Sequence, residues 1–392
     1  MKLSPLATAL SLSLLVKAAP YNRRLFEGIN FLNDVLLFDA PAFQDPANPE
    51  NTLVDMQSFV FLKQLDLDPL TSVIENALEG FGLDVGGKID SALERIKLFA
   101  AVGLSGKEVE VSVDGCSETA TLPKTSLGVV TSSVSVGQCD AATEFKAEAV
   151  DNDFTPDVTI FPSSPDGFGV ISGEDILLLF FRFFARFVDI PSTTDIDDTI
   201  KISNVLDKIK LAQTTLLDDP TPVAGMPELY ASLAQTLNSP QFIYVSGSPF
   251  QLYPFLRDFI STSFAESRGP LFLRNLTITD LSLILDSFSE DENAKLEYKL
   301  SQIARIQRIY PQKSFLSIGD STEKDPEIYA EAFKTHGEDF IRCIWIHLVD
   351  GADNSDERFA AAFEGVPADR VRTFDDSQIA ALADIDVAGG QC

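Results

Sequence analysis

Apolar and polar positions change rhythm twice along the chain. From Lys107 to Phe161 they alternate one by one, as in Val109-Glu110-Val111-Ser112-Val113, with turn residues between the runs. That is the period of strands with one buried face, and it predicts antiparallel β-structure. Upstream, residues 20–65 mix short apolar runs such as Val35-Leu36-Leu37-Phe38 with turn-rich stretches, notably Asp45-Pro46-Ala47-Asn48-Pro49. Two stretches of helical period follow, over 68–80 and 87–102. Residues 20–165 therefore read as a β-rich module with a helical insertion. After residue 200 helical stretches alternate with nearly continuous apolar runs, Phe242-Ile243-Tyr244-Val245 and Phe315-Leu316-Ser317-Ile318, the texture of strands buried on both faces. The fold class is α/β, with an open parallel sheet over 166–392. No internal repeat or low-complexity segment is present.

The first 19 residues stand apart from this pattern. Met1-Lys2 leads into an apolar run from Leu3 to Val16, then Lys17-Ala18-Ala19-Pro20, the layout of a secretory signal peptide cleaved near Ala18 and too short to span a bilayer. The expectation is a secreted protein or one of the secretory lumen. In that compartment the four cysteines read as disulfides. Cys116 and Cys139 lie in one β-like segment and Cys343 and Cys392 near the C-terminus, so two local bridges are the simplest of three pairings. Asn275-Leu276-Thr277 is a glycosylation sequon, credible in a secreted chain.

Charge narrows the chemistry. With 59 Asp plus Glu against 30 Lys plus Arg, the formal net charge is -29, and the field of such a chain repels nucleic acid. The two histidines, His336 and His347, exclude multi-histidine metal sites and leave few candidates for a Ser-His-Asp triad. Catalysis must rest mainly on carboxylates. Three acidic or hydroxyl clusters stand where such a site would form. Val245 runs into Ser246-Gly247-Ser248-Pro249, Ile318 runs into Gly319-Asp320 and on to Asp325, and Asp195-Ile196-Asp197-Asp198-Thr199 precedes the helix-like Val205–Ile209. Ligands bind at the carboxyl ends of strands in open α/β sheets. Two carboxylates two residues apart on one turn suit a nucleophile, Asp195, and a general acid and base, Asp197. Asp195 and Asp320 suit Mg²⁺, while Ser246 and Lys299 suit the remaining phosphoryl oxygens.

The order DxDxT at Asp195–Thr199, a strand ending in Ser246, a downstream Lys299, and GDx₄D at Gly319–Asp325 resembles the four motifs of the haloacid dehalogenase superfamily. The wording of Asp195–Lys201, Gly225–Tyr230, Tyr244–Phe250, and Gly319-Asp320-Ser321 to Asp325–Tyr329 narrows it: residues 195–350 resemble the actin-patch-type phosphatidate phosphatase family. The resemblance implies a haloacid-dehalogenase-like domain that hydrolyses phosphatidate to diacylglycerol and phosphate with Mg²⁺. Asp195 would carry an aspartyl-phosphate, Asp197 would protonate the leaving alcohol and then activate water, and Thr199 would brace the turn. Asp320 would ligate Mg²⁺ together with Asp195 and Asp197, with Asp325 beside it. Lys299 is the third-motif lysine, with Lys295 the fallback. The substrate would be a phospholipid, reached by peripheral membrane contact, which a strongly acidic surface makes only with help from Mg²⁺ or apolar contacts.

One departure from the family pattern is prominent. An apolar strand should run directly into Asp195, yet Ile190-Pro191-Ser192-Thr193-Thr194 precedes it, a poor central strand. The missing strand sits earlier, at Phe168-Gly169-Val170-Ile171-Ser172. Joining Ser172 to Asp195 would restore it, which makes Gly173–Thr194 a 22-residue interruption. Its ends can be encoded with a splice donor (GGTGAG) and acceptor (ACAGAC) in frame, and Leu177–Phe187 holds five Phe, so the segment reads as translated intron sequence. The competing reading is a membrane-touching hairpin or helix. Other readings stay open beside the phosphatase. One is a catalytically weak lipid- or partner-binding protein, and another a serine hydrolase using Ser246 or Ser248, although no GxSxG elbow is present. Gly82-x₄-Gly87-Lys88 mimics a phosphate loop, but Ile89 stands where the metal-binding hydroxyl belongs. His347, at an alternating strand position, reads as structural.

Overall fold

A computed structural model of the chain describes residues 33–62, 71–80, 82–150, 158–174, 199–204, 207–275 and 292–392. The signal peptide, Asp195, Asp197 and most of the interruption at 173–194 lie outside these residues. The first sheet is built from β1 (Asn33–Leu37), β2 (Ala40–Gln44), β3 (Thr52–Leu62), β4 (Val109–Val113), β5 (Ala120–Leu122), β6 (Val129–Ser135), β7 (Phe145–Ala149) and β8 (Val158–Pro162). Its order is β1-β3-β2-β8-β7-β4-β5, with β6 paired to β3. Alternation in β4, β7 and β8 sends Val109, Val111, Val113, Phe145, Ala147, Val158 and Ile160 to one interior, the signature expected from period two. The pairing is not wholly antiparallel, as the alternation suggests: β2 and β8 run parallel, because the chain closes the sheet between strands far apart in sequence. The helical insertion is α1 (Thr71–Gly80) and α2 (Ile89–Ile96). Cys116 is bonded to Cys139, and Cys343 to Cys392.

The second sheet is wholly parallel. Its strands are β9 (Asp166–Glu174), β10 (Gln241–Pro249), β11 (Leu271–Arg274), β12 (Gln312–Asp320), β13 (Ile341–His347) and β14 (Val371–Phe374), in the order β11-β10-β9-β12-β13-β14. The first strand in sequence lies in the middle. The chain then builds outward in one direction through β10 and β11 and in the other through β12, β13 and β14. Between β10, β9 and β12 lies the switch point at which such sheets bind ligands.

Helices cover both faces: α3 (Lys208–Leu216), α4 (Met226–Thr236), α5 (Tyr253–Ser263), α6 (Glu292–Ile309), α7 (Asp325–His336), α8 (Asp356–Ala362) and α9 (Ile379–Leu382). Val170 turns to the side of α4 and α5, and its neighbour Ile171 to the side of α6 and α7. The helix expected from Val205 begins later, at Lys208. The Asp207 carboxylate accepts hydrogen bonds from Ile209 N and Lys210 N and so fixes the start as an N-cap. Among the described residues no helix is long and apolar enough to cross a membrane.

The two sheets share a core. Leu36, Phe38, Phe59 and Phe61 of the first pack in one apolar cluster with Val170, Phe250, Tyr253 and Leu256 of the second part. Ion pairs join the same halves: Arg257 to Asp39 at 2.9 Å, Arg305 to Asp55 at 2.6 Å, Arg268 to Glu144 at 2.6 Å and, from the helical insertion, Lys88 to Asp218 at 2.7 Å.

Candidate active site

The carboxyl ends of β9, β10 and β12 carry the candidate residues. Ser172 and Ile318 are opposite one another across β9 and β12, and Glu174 is opposite Ser246 across β9 and β10. Asp320 ends β12 one residue after Gly319. Thr199, the last residue of the DxDxT pattern, donates from Oγ1 to Asp320 Oδ2 at 3.1 Å. The chain thus leaves this sheet edge at the end of β9 and is back at it by Thr199. The other oxygen of Asp320 accepts from Thr322 N at 2.6 Å and from the Thr322 hydroxyl. These donors are all neutral.

Lys299, on α6, reaches the same edge. Its ammonium donates to Asp325 Oδ1 at 2.6 Å and lies 3.5 Å from Glu323. Asp325, at the start of α7, turns its second oxygen to the Asp320 backbone N–H at 3.4 Å. Two glycines on adjacent strands make room for it. A Cβ on Gly173 would lie 2.5 Å from Asp325 Oδ2 and 2.9 Å from Tyr329 Oη, and one on Gly319 would lie 2.7 Å from Asp325 Cβ. Tyr329 Oη donates to Ile318 O at 3.0 Å, and burial, then the Asp325 charge beside it, pushes the phenol well above its ordinary range. Asp325 and Glu323 thus face the Lys299 ammonium at depth, and Asp320, whose carboxylate is held by Thr199 and Thr322, is buried with them. Among the described residues no group of three or more His, Cys, Asp or Glu side chains is arranged to hold a metal ion.

Ser246 Oγ accepts from Ser248 N at 3.0 Å, where the β10–β11 register slips between Ser246 and Pro249 and bends the strand end. Thr199, Ser246 and Asp325 have no solvent exposure, Asp320 has 2% and Lys299 3%. Lys295 falls on α6, four residues before Lys299. His347 ends β13 beside Asp320, stacks on Phe374 and places Nε2 2.7 Å from Asp376.

Several participants were not singled out from the sequence. The Arg358 guanidinium, on α8, donates to the backbone oxygens of Ser321, Glu323 and Asp353 and pairs with the Glu327 carboxylate, tying down the loop after Asp320. Tyr230 Oη donates to Ser172 Oγ at 2.9 Å. Glu323 lay inside the quoted GDx₄D run, and its place two residues before Asp325 was the available signal. Arg358 had none, since its partners are fixed only by the tertiary fold.

Residues 192–348 match the family model described as the catalytic domain of phosphatidate phosphatase APP1. Over 139 residues the chain is 32% identical to phosphatidate phosphatase APP1 of Saccharomyces cerevisiae, covering 35% of this chain and 22% of that protein. An uncharacterised protein of Schizosaccharomyces pombe is 28% identical over 141 residues, again 35% of this chain and 22% of the relative. The chain spans about a fifth of the length of the curated relatives it matches. Among solved structures, a carbohydrate acetylesterase of Xanthomonas citri aligns over 74% of this chain and 70% of its own at 10% identity, with a TM-score of 0.26 that carries no argument.

Proposed function

We propose that the chain carries a phosphatidate phosphatase centre of the haloacid dehalogenase type. The observation that carries the reading is the meeting of Thr199 with Asp320, and of Lys299 with Asp325, at the switch point of a parallel sheet. The match of residues 192–348 to the catalytic-domain model supports the same reading. An Asp195 oxygen attacks phosphorus as the bond from phosphorus to the glycerol oxygen breaks. Asp197 gives its proton to the departing alcohol, then takes one from the water that attacks the aspartyl-phosphate, and phosphate leaves with Asp195 restored. Ser246 and Lys299 hold the non-transferring oxygens, and Asp325 holds Lys299 and the Asp320 backbone in register. Asp320, with Asp195 and Asp197, would hold Mg²⁺, which when bound neutralises phosphate charge.

The interruption at 173–194 belongs to this proposal. Joining Ser172 to Asp195 sets Asp195 at the register now held by Gly173, opposite Val245, where its Cβ would come within 2.5 Å of Asp325 Oδ2 and 2.9 Å of Tyr329 Oη, so the shortened chain must shift Asp325 and Tyr329 to admit it. Prediction: a chain lacking 173–194 releases phosphate from monomeric dioctanoyl phosphatidate only with Mg²⁺ and loses this on Asp195→Asn, while the full chain turns over little. Phosphate release that survives Asp195→Asn, or its absence from both chains, would refute the reading. Transcript reads crossing the whole segment at high abundance would refute the intron. The burial of Ser246, Lys299 and Asp320 in the full chain favours a second reading for that form, a catalytically weak lipid-binding protein. It is upheld if Asp195→Asn leaves the biological effect intact.

A further inference from the structure

Large apolar side chains with free surface are few among the described residues, and two of them share one place. Val102 is 47% exposed and Leu127 44%. The loops that carry them are laced together. Gly106 N donates to Thr125 O, Thr125 N to Lys107 O, and Leu127 N to Ser105 Oγ, each at 2.8 Å. Leu127 holds this exposed position at φ +51°, in the left-handed region that disfavours a branched side chain, next to a glycine at 128. The turn therefore presents an apolar side chain where Gly or Asn would be the easier residue.

The charge around the pair is unlike the rest of the chain. Acids make up 59 of 392 residues, yet none occurs from Arg95 to Lys107 or from Thr119 to Cys139. Lys107 and Lys124, both exposed, flank the apolar tips, with the exposed Glu108 following Lys107 on the side away from Val102 in sequence. At physiological ionic strength the repulsion from distant carboxylates is screened over about 8 Å, so at contact this local balance of charge governs.

The loop pair is also tied to the catalytic edge. Gly103 and Gly128 cross over the Phe59 ring, close enough that a Cβ on either would meet Phe59 Cε2 at 3.1 and 2.7 Å. Phe59 packs on Phe250 with ring centroids 4.8 Å apart, and Phe250 opens the turn that follows the strand of Ser246.

We propose that Val102–Lys107 and Lys124–Gly128 form the surface by which this protein docks on an anionic phospholipid surface. Val102 and Leu127 enter the acyl boundary and Lys107 and Lys124 meet the head-group phosphates. The choice of a lipid as occupant rests on the phosphatidate reading above. The site supplies the apolar contact that a chain of net charge -29 needs to approach its substrate.

The test is flotation of the full chain with phosphatidylcholine vesicles, plain or doped with phosphatidate or phosphatidylserine, in EDTA so that binding is read without turnover. Wild-type protein should float with the doped vesicles. Val102→Ser with Leu127→Asn, the second chosen because Asn tolerates the left-handed region, should bind about tenfold more weakly. Lys107→Glu with Lys124→Glu, confined to exposed side chains, should lose about tenfold or more on doped vesicles. Val150→Ser, an exposed apolar site two residues after Glu148, should bind as wild type. Binding unchanged in both double variants, or lost equally in Val150→Ser, would overturn the proposal. Phosphate release from monomeric dioctanoyl phosphatidate by the chain lacking 173–194, with and without the two apolar substitutions, reports on the catalytic reading separately. It should be unchanged by the substitutions, and its absence with binding intact would refute the phosphatase and leave the docking surface standing.

Discussion

Replacing Gly319 by Ala tests the centre with one carbon atom. The new Cβ would stand 2.8 Å from Asp325 Cγ and 2.7 Å from its Cβ, whereas ordinary contact begins near 3.4 Å. Asp325 cannot rotate away, because the atom in collision at 2.7 Å is its own Cβ, fixed to the first turn of α7. The helix start must move by roughly 0.7 Å, the gap between 2.7 and 3.4 Å. Overpacking of this kind costs about 1–3 kcal/mol of stability. If the shift breaks the buried bond from Lys299 to Asp325, the loss grows toward the 3–5 kcal/mol typical of an uncompensated buried charge, roughly. A displacement of that size in a positioning group lowers the rate on the order of tenfold to a hundredfold. The assay is phosphate release by the chain lacking 173–194, with urea unfolding measured on the same preparation. Gly80→Ala serves as control, since no atom lies within 4 Å of its added carbon. Full activity in Gly319→Ala, with stability equal to the control, would refute the account of Asp325 as the residue that sets Lys299 and Asp320.

Arg358→Ala should raise the Mg²⁺ needed for half-maximal turnover about tenfold, and Arg358→Lys should recover little, because an ammonium cannot make the forked contacts to Ser321 and Glu323; a fall in turnover at unchanged Mg²⁺ response would assign it a merely structural role. Arg257→Met strips the partner from buried Asp39, whose carboxyl burial already holds above its ordinary range, and should destabilise the chain by about 3 kcal/mol at pH 7. A raised carboxyl binds its proton sooner in the folded state, so this deficit should shrink as pH falls toward 5 by urea unfolding, and a deficit that grows instead would contradict the sign. Burial lowers the Lys313 ammonium to about 8. Between that value and the ordinary 10.5 only the unfolded state keeps the proton, so stability from this residue rises with pH there. The difference in unfolding free energy between wild type and Lys313→Met should climb by about 2 kcal/mol from pH 7 to 9.5, and a flat difference would show that the site is more open than its geometry indicates.

Much of the candidate site's layout was legible because its residues sit where short apolar runs stop. Ser246 and Asp320 each follow such a run, and Lys299 lies on a helix whose Ile303 and Ile306 bury in the core beneath the sheet. The displaced strand was legible too, since Val170-Ile171 is apolar on both faces and lacks the turn residues that precede Asp195. What the sequence hid depends on neighbours distant along the chain. Gly173 reads as the first residue of the interruption and Gly319 as the glycine of the GDx₄D run, and their shared closeness to Asp325 appears only when β9 and β12 lie side by side. The parallel pairing of β2 with β8 follows from sheet closure, which local period does not encode. The start of α3 was misread because Val205-Leu206 continues an apolar rhythm, while the Asp207 cap that fixes the boundary acts through backbone geometry.

The module and the parallel sheet have to be understood as one body, and the run Val35-Leu36-Leu37-Phe38 shows why. In a strand with one wet face, only alternate residues would be apolar. Here Val35 and Leu37 face the interior of the first sheet, and Leu36 and Phe38 face the cluster built by Phe250, Tyr253 and Leu256. Strand β3 repeats the device, with Val60 inward and Phe59 and Phe61 toward the second part. A face of that kind would be exposed apolar surface if the module stood alone. The polar contacts follow the same logic, since Asp39, Asp55 and Glu144 of the module are each matched by an arginine from beyond residue 250. The first sheet therefore forms an outer wall behind the helices and turns on one face of the second. Loops at its edge are held in fixed relation to the turn after Ser246, as the proposed docking surface requires.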